Sequence, residues 1–413
     1  MNIGIVTTWF ERGAAYVSKQ YRDILATRHK VFIYARGGEH LAIEDPNWKG
    51  DYVTWDQTTM PIQSGLNLKK FERWIYENKI AVVFFNEQRW WLPVLLCNKL
   101  GIKTGAYIDY YKENTLPLFG CYDFLVCNTR QHFGAFSWHP QVYYVPWGTD
   151  INVFSPKNQD SVAKSYVSFF HSAGMNPHRK GCDLVIKAFS TLASLNARLV
   201  IHSQRDLGEF FPELKGVIHD LQGRGLLQCI VKTVPAPGLY HYGDIYVYPS
   251  RLDGIGLTIA EALACGLPVI TSDNPPMSEF VDINCGRLVE IERLYARSDG
   301  YYWPQCVVKL ESLVQCMREY VERPQLIKTE KILARKYAEE KLDWEKNASV
   351  LCDIFEGVEI LSNADKKGAL DKAYSYEQRR SNFRIRLHSR FPNLYRILRA
   401  PYRMIKRYRR TVI

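Results

Sequence analysis

The sequence predicts an α/β protein of two domains, each built on a parallel sheet with helices on both faces. The chain has 413 residues, which is too long for one hydrophobic core, so two domains of roughly 150–200 residues are expected. Short apolar segments alternate with helical ones in two successive stretches of the chain. This alternation is typical of parallel sheets whose crossover helices cover both faces.

The first alternation occupies residues 1–155. Its predicted strands are short, apolar and rich in β-branched or aromatic residues, and they cover residues 3–7, 30–35, 82–86, 104–108, 124–127 and 142–145. Helices are predicted at 17–27 and 69–77. The turn-rich stretch that begins at Val145 ends this half of the chain.

The second alternation follows directly. Its predicted strands cover residues 166–171, 198–202, 228–232, 245–248 and 268–271, with helices at 182–193 and 257–264. After about residue 305 the pattern becomes helical, and helices are predicted at 307–321, 325–340 and 344–355.

The positive charge of the chain is concentrated at its C-terminus. The formal net charge is +11, but residues 379–413 hold twelve Lys and Arg and no Asp or Glu, so the rest of the chain is close to neutral. A protein that binds nucleic acid over its whole surface is therefore not favoured.

Composition favours a cytoplasmic enzyme. An apolar fraction of 46% is ordinary for a globular protein, and the ten cysteines show no C-x-x-C spacing, which suits reduced thiols. Residues 1–6 predict a strand rather than a secretory signal, and no apolar run approaches the roughly 20 residues of a membrane span.

The most informative segment is 248–272. A strand ends at Pro249, a loop with Gly254 and Gly256 follows, and a helix begins near Leu257 and Thr258. Glycines let a ligand approach the backbone, and unpaired N–H groups at a helix start suit phosphate. Asp253 and Glu261 flank this loop, and a carboxylate accepts hydrogen bonds from sugar hydroxyls. A strand–glycine loop–helix unit alone is equally common as a purely structural feature.

The complete segment resembles the donor-binding signature of family 4 retaining glycosyltransferases of the GT-B fold, in which two acids are separated by seven residues. Asp253 and Glu261 keep that spacing. The resemblance implies that the first acid, here one methylene shorter than the usual Glu, contacts the transferred sugar, and that Glu261 contacts the ribose. It also implies nucleotide-sugar contacts from Gly254, Gly256, Leu257 and Thr258.

Three further segments are similar to that family. Residues 146–156 resemble its interdomain crossing, residues 174–181 its phosphate-binding loop, and residues 342–345 the start of its C-terminal helix. The implied architecture is two Rossmann-like domains at 1–155 and 156–345, a helix at 346–364 that crosses back to the first domain, and a basic amphipathic tail at 365–413.

Basic residues near the glycine loop suit the departure of a nucleoside diphosphate, because positive charge stabilises the leaving oxygen. Lys180 matches the family's lysine. The family's arginine position holds Met175, and Arg179 is the nearest replacement. Arg179 as a solvated helix-start residue is an equal alternative, and Lys180 as surface charge is a weaker one.

In the first domain, the resemblance assigns Gly13 to the backbone that faces the diphosphate and acceptor, and Asp109 to the acceptor hydroxyl. Gly13 as an ordinary helix-start glycine and Asp109 as a plain cap are the alternatives. The histidine that precedes the aspartate in the family is absent, because Ile108 stands there.

Nothing in the sequence predicts a metal or a cofactor. There is no Asp-x-Asp motif and no His/Cys cluster with ligand spacing. His171 and His241 could line the cleft, but packed or surface positions are the simpler interpretation.

Residues 394–410 show helical periodicity, with Leu394, Ile397, Leu398 and Ile405 on one side and arginines and lysines on the other. Pro401 breaks or kinks such a helix. A basic face opposite an apolar one suits an anionic membrane, so residues 379–413 predict a peripheral protein on the inner membrane face. A helix packed on the enzyme or a solvated tail are the alternatives.

The function predicted from the sequence is retaining transfer of a sugar from a nucleotide-diphosphate donor to a glycan or lipid-linked hydroxyl acceptor, with no metal and no nucleic acid involved. The alternatives are another GT-B enzyme, such as an epimerase or phosphorylase, or a degenerate transferase that serves as a membrane-bound scaffold. The scaffold stays an alternative because the sequence departs from the family pattern at Met175, Ile108 and Asp253.

Overall fold

The computed structural model describes residues 1–37, 41–58, 62–157, 165–193 and 196–381. They form two compact units. The first contains Met1–Cys127, Ala135–Tyr144 and the chain from Val350 onward, and the second contains Asn128–Gly134 and Val145–Ser349.

The described residues up to Tyr144 contain a parallel sheet and helices, although Asn128–Gly134, which include most of the fourth helix, belong to the second unit. The order along this sheet is β3-β2-β1-β4-β5-β6-β7. Its strands are β1 (Asn2–Thr7), β2 (Lys30–Ala35), β3 (Val53–Trp55), β4 (Val82–Phe85), β5 (Lys103–Tyr107), β6 (Phe124–Cys127) and β7 (Val142–Tyr144), and its helices are α1 (Gly13–Leu25), α2 (Leu68–Glu77), α3 (Leu92–Lys99) and α4 (Arg130–Phe136).

The central strands of this sheet carry unbroken apolar runs because helices cover both faces. Every residue of β4 and β6 is buried. Helix α1 buries Ala15, Val17, Tyr21 and Leu25 on one face, the spacing of an amphipathic helix. Helix α2 begins after Asn67, whose side chain accepts a hydrogen bond from Lys70 N at 3.1 Å, as N-cap residues do.

The second unit has a six-stranded parallel sheet in the order β10-β9-β8-β11-β12-β13 and a separate hairpin of β14 and β15. Its strands are β8 (Val167–Gly174), β9 (Ala197–Ser203), β10 (Leu227–Val231), β11 (Ile245–Tyr248), β12 (Val269–Ser272), β13 (Gly286–Val289), β14 (Ile291–Tyr295) and β15 (Gln305–Val308), and its helices are α5 (Cys182–Ser190), α6 (Leu207–Phe210), α7 (Lys215–Gly223), α8 (Leu257–Ala264), α9 (Leu310–Glu322), α10 (Gln325–Lys341) and α11 (Trp344–Asn347).

The chain returns to the first unit at Val350. Helices α12 (Leu351–Gly357) and α13 (Asn363–Ser381) complete the described structure. A buried ion pair anchors α13: Lys366 Nζ lies 2.7 Å from Asp123 Oδ1, with side chains 3% and 0% exposed. Near its other end, Glu377 accepts a hydrogen bond from Trp91 N at 3.0 Å. The predicted tail helix at 394–410 lies outside the described residues.

Two predicted helices differ from the structure. Residues 305–308 form β15, so the helix predicted from 307 begins only at Leu310. The helix predicted over 344–355 is divided into α11 and α12. The sequence analysis also did not identify β3, β13, β14, α3, α4, α6, α7 or α13. Among the described helices, none has the length and apolarity that crossing a bilayer requires.

The strand orders locate the ligand-binding edge of each sheet. In both sheets the chain proceeds outward on one side of the first strand and then on the other, so the direction reverses between β1 and β4 and between β8 and β11. Ligands of such sheets bind beyond the carboxyl ends of the strands at this reversal. The loops after β1, β4 and β5, and those after β8 and β11, therefore lie at the ligand-binding edges of the two sheets.

Candidate active site

In the second unit, two loops bring predicted site residues together. The loop after β8 carries Lys180 and the loop after β11 carries Asp253. Lys180 Nζ lies 2.7 Å from Asp253 Oδ2 and also donates to the hydroxyl of Tyr248, which in turn donates to Asp253 Oδ2. The structure thus places Lys180 against Asp253 rather than at the open surface, since the two side chains are only 15% and 13% exposed.

Arg179 joins the same group from its outer side. Its guanidinium donates to Leu252 O at 2.9 Å and lies 3.4 Å from Asp253 Oδ1, with the side chain 32% exposed. Of the two alternatives left by the sequence, a contact with the Asp253 loop describes Arg179 better than free solvation. Met175, in the family's arginine position, is 63% exposed.

Burial and pairing set the charges of this cluster. Burial alone would raise the pKa of Asp253, but the adjacent Lys180 and Arg179 hold it well below its ordinary value. Burial lowers the pKa of Lys180 to about 8, although Asp253 opposes that shift. At neutral pH the site therefore presents an ammonium group and a carboxylate in direct contact.

The glycines shape the loops in different ways. Gly181 and Gly256 have φ of +74° and +73° and stand immediately before α5 and α8, a conformation that favours glycine. A Cβ on Gly181 would also lie 2.1 Å from Pro249 O, whereas one on Gly254 would meet nothing within 4 Å. Gly254 thus leaves open space beside the start of α8, where the first N–H groups, including those of Leu257 and Thr258, have no intrahelical acceptor.

Glu261 lies one turn further along α8. Its Oε2 accepts a hydrogen bond from the hydroxyl of Tyr240. Burial raises the pKa of Glu261 to about 7, against the opposing effects of Tyr240 and Lys180. The carboxyl group therefore changes charge near neutral pH.

Three residues of this region were missed by the sequence analysis. Tyr240 and Tyr248 hold the carboxylates of Glu261 and Asp253. His132 Nε2 lies 3.2 Å from Gly254 O, and burial lowers its pKa to about 4. Tyr240 and Tyr248 could have been recognised as partners of the acids, because the hydroxyl of a buried tyrosine needs a hydrogen-bond partner. His132 gave none, since 122 residues separate it from Gly254.

The two histidines considered from the sequence do not enter this cluster through any described hydrogen bond. His171 is fully buried with Nδ1 2.8 Å from Val247 O, and burial lowers its pKa to about 4. His241 belongs to the short 3-10 helix Tyr240–Tyr242, and burial also lowers its pKa. Burial therefore disfavours the charged form of both histidines.

Two motifs that the sequence analysis treated separately contact each other in the second unit. Thr149 N donates to Leu342 O at 2.7 Å, and Trp344 N donates to Thr149 O at 3.1 Å. The ring centroids of Trp147 and Trp344 lie 4.6 Å apart. The segment expected at the domain crossing is thus fixed to the start of α11.

In the first unit, Gly13 and Asp109 lie at the predicted edge. Gly13 is the exposed first residue of α1, and Asp109 follows β5. Burial raises the pKa of Asp109 to about 7, and the neighbouring Glu87, which follows β4, adds to the increase, while Arg89 opposes it. Arg12 Nη2 lies 3.7 Å from Glu87 Oε2. Asp109 is therefore one of a carboxyl pair with basic neighbours.

A cavity of about 590 Å³ lies elsewhere in the second unit, near the amino ends of β11 and β12. Its described lining includes Lys157, Tyr240, Lys331 and Lys336, but not Lys180, Asp253 or Glu261. Lys331 is paired with Asp244 at 2.7 Å. The cavity thus differs from the carboxyl-edge cluster, although its lining residue Tyr240 also donates to Glu261.

No group of three or more His, Cys, Asp or Glu suited to a metal ion occurs among the described residues. The described part of the chain therefore offers no candidate metal site, and metal-independent action stays a prediction.

Residues 167–297 match the family described as Glycosyl transferases group 1. The match begins at β8 and includes Lys180, Asp253 and Glu261. A probable sucrose-phosphate synthase of Thermosipho melanesiensis is 25% identical over 147 residues, which is 34% of this chain and 34% of that protein.

A GDP-mannose-dependent alpha-(1-6)-phosphatidylinositol dimannoside mannosyltransferase of Mycobacterium tuberculosis is 24% identical over 241 residues, 55% of this chain and 60% of that protein. The matched region thus spans between about a third and three fifths of the length of these two curated relatives.

The fold resemblance extends over more of the chain. The crystal structure of Anabaena Alr3699/HepE in complex with UDP superposes with a TM-score of 0.66 and 16% identity, covering 86% of this chain and all of that one. Sucrose-phosphate synthase from Thermosynechococcus elongatus gives the same TM-score and identity over 86% of this chain and 98% of that one. The two parallel sheets are therefore those of the GT-B fold, and residues 167–297 of the second unit are similar to the group 1 glycosyltransferases.

Proposed function

We propose that this protein transfers a sugar from a nucleotide-diphosphate donor to a hydroxyl acceptor with retention of anomeric configuration. The second unit binds the donor and the first unit binds the acceptor. The reaction uses no metal. Residues 379–413 attach the enzyme to an anionic membrane surface that carries a glycan or lipid-linked acceptor.

The contact between Lys180 and Asp253 beside the start of α8 carries this proposal. A sugar nucleotide offers a diphosphate, a ribose and a sugar ring, and each has a suitable group nearby. Lys180 and the helix N-terminus provide positive charge for the diphosphate. Glu261 accepts from ribose hydroxyls, and Asp253 accepts from a hydroxyl of the transferred sugar.

The chemical step requires positive charge at the leaving group. The acceptor oxygen attacks the anomeric carbon as the bond from that carbon to the diphosphate oxygen breaks. The acceptor proton passes to the departing diphosphate, so no nucleophile from the protein is required. Lys180 stabilises the charge that develops on the diphosphate, a contribution that is large when the charge is positioned in advance.

On the acceptor side, Asp109 and its neighbour Glu87 hold the acceptor hydroxyl. A carboxyl with a pKa of about 7 both accepts and donates hydrogen bonds near neutral pH. The Mycobacterium relative is named for a phosphatidylinositol dimannoside, and an acceptor linked to lipid agrees with the basic C-terminal segment of this chain.

The experiment is nucleotide release by the full chain from GDP-mannose and UDP-glucose, measured with and without sugar acceptors and without added metal. We expect release from one donor to rise when acceptor is added. The anomeric configuration of the product, determined by NMR, is expected to match that of the donor.

The alternatives give other results. Interconversion of the donor without acceptor would identify an epimerase, and a requirement for inorganic phosphate would identify a phosphorylase. Donor binding without turnover on any acceptor would favour the scaffold. An inverted product would contradict the retaining mechanism while leaving the transferase activity in place.

A further inference from the structure

The hairpin of β14 and β15 was not expected from the sequence, and it lies at the same edge as the donor loops. Strand β14 begins at Ile291, two residues after β13 ends at Val289. Because β13 is parallel to β12 and β11, its carboxyl end is at the edge where Asp253 lies. The loop of the hairpin, residues 296–304, contains Tyr301, Tyr302 and Trp303.

Hydrogen bonds join this hairpin to the segment that precedes Asp253. Cys306 N donates to Arg251 O at 2.9 Å, and Cys306 Sγ lies 3.4 Å from Ser250 O. Arg251 is itself fixed by two hydrogen bonds of 2.7 Å to the Asp183 carboxylate on α5. The hairpin is therefore held on the donor loop, and Trp303 is only three residues from the point of attachment.

The loop of the hairpin has its own order. Arg297 Nη2 lies 2.6 Å from Asp299 Oδ2, and Tyr301 N donates to Asp299 Oδ1 at 3.2 Å. Tyr301 is 7% exposed, and the Arg297 guanidinium carbon lies 5.3 Å from the centroid of the Tyr301 ring. Tyr302 is 41% exposed, and its ring meets that of Trp303 edge to face at 5.1 Å. An ordered loop thus presents aromatic surface within a few residues of the attachment of Cys306 to Arg251.

We propose that Tyr302 and Trp303 form a binding subsite on the second unit for a pyranose ring of the acceptor glycan, in addition to the contact with the acceptor hydroxyl that the proposed function assigns to Asp109. A pyranose has one face of C–H bonds and a rim of hydroxyls. Aromatic rings have a negative face that suits polarised C–H bonds. Trp and Tyr also contact lipid at membrane interfaces. The attachment of this hairpin to the donor loop favours a sugar as the ligand instead, and in this respect the inference rests on the proposed transferase function.

The direct test is binding of methyl α-D-mannopyranoside and methyl α-D-glucopyranoside to the full chain, by saturation-transfer NMR. We expect a signal from at least one glycoside with the unaltered protein, and a loss of fivefold or more in Tyr302→Ala and Trp303→Ala. Trp303→Phe retains an aromatic ring and is expected to retain most of the signal. Tyr242→Ala is the matched control, because Tyr242 is 37% exposed in the same unit but precedes the amino end of β11.

A kinetic measurement separates this subsite from the proposed function. In a working transferase, Tyr302→Ala should raise the KM for the acceptor about tenfold or more and leave acceptor-independent nucleotide release within twofold. An unchanged KM, no glycoside signal from the unaltered protein, or equal signals from the variants would overturn the subsite. Loss of vesicle binding with glycoside binding intact in these variants would assign the loop to a membrane and also overturn it. Glycoside binding that depends on Tyr302, in a protein that releases no nucleotide, would instead contradict the proposed function alone.

Discussion

Lys180 is the single residue on which the proposed chemistry depends most. It is a buried ammonium whose only described acceptors are Asp253 and Tyr248. Lys180→Ala should lower kcat by about 10²–10³, because it removes a positioned charge from the leaving group. The measurement is the steady-state rate of nucleotide release at saturating donor and acceptor.

Lys187→Ala provides the control for this prediction. Lys187 lies on α5, the helix that directly follows the loop of Lys180, and its side chain is exposed. Its replacement should leave kcat within twofold. A loss of less than threefold in Lys180→Ala would exclude Lys180 from the chemical step and make Arg179 the better candidate.

Glu261 should give the donor site a pH dependence. Its pKa of about 7 means that the carboxyl is neutral below that pH and ionised above it. Only the ionised form accepts from two ribose hydroxyls with the strength of a charged group, roughly 1.5–3 kcal/mol for each hydrogen bond. Donor affinity should therefore rise as pH increases from 6 to 7.5, and then fall above about pH 8 as Lys180 loses its charge.

Donor titration by calorimetry, without acceptor, isolates this effect from Asp109, which titrates in the same range. Glu261→Gln should bind donor at least about tenfold more weakly and lose the increase between pH 6 and 7.5. Asp109→Asn should keep that increase. Equal donor affinity in Glu261→Gln and the unaltered protein at pH 7.5 would remove the ribose assignment.

At this scale the sequence predicted the charged residues better than their partners. Asp253 and Glu261 were found because they lie in one short segment with a recognisable spacing, and Lys180 because its loop precedes a helix. Tyr240 and Tyr248 act through hydroxyls that meet these acids only after folding. The contact of His132 with Gly254 depends on a chain path that no local pattern contains.

Gly181 controls how one element, α5, begins. Its φ of +74° costs other residues about 1–2 kcal/mol, and a Cβ would also lie 2.1 Å from the carbonyl oxygen of Pro249. Gly181→Ala should therefore lower the free energy of unfolding of the second unit by at least about 3 kcal/mol and misplace Lys180. Urea denaturation followed by tryptophan fluorescence measures the first effect, and donor titration the second.

Gly225→Ala separates conformational strain from the clash. Gly225 has a similar φ of +67° in the same unit, but a Cβ there would meet nothing within 4 Å. Its replacement should cost about 1 kcal/mol and leave donor affinity unchanged. Equal losses of stability in the two variants would show that the contact with Pro249 is relieved by a small backbone movement.

Whole elements were predictable where one periodicity extended over their length. Strands β2, β6 and β11 and helix α8 have the predicted bounds, because buried parallel strands are continuous apolar runs. Strand β13 begins with Gly286 and includes the charged Arg287, and β15 precedes α9 without a clear break, so neither gave such a run. A turn at residues 348–350 divides residues 344–357 into two helices. The spacing of apolar residues continues through this turn, so the sequence pattern did not indicate the division.

At the scale of the molecule, the sequence predicted an enzyme body close to neutral and a separate basic segment. The described structure adds how α13, which ends at Ser381, is fixed. The buried pair of Lys366 with Asp123, and the contact of Glu377 with Trp91 N, fix α13 on the first unit. Breaking a buried ion pair typically costs several kcal/mol, so α13 belongs to the folded body, and a test of the tail must leave it intact.

Ending the chain after Ser381 should abolish sedimentation with phosphatidylglycerol vesicles. The removed residues contain ten Lys and Arg and no acidic residue, and basic residues near an anionic surface contribute about 1 kcal/mol each. Binding of the full chain should weaken as salt is raised, because screening shortens the reach of these charges. Phosphatidylcholine vesicles, which lack net charge, should bind neither protein.

Turnover on a short water-soluble acceptor should persist after truncation, since Lys180, Asp253, Glu261 and α13 all remain. Vesicle binding by the truncated chain equal to that of the full chain would place the membrane contact elsewhere.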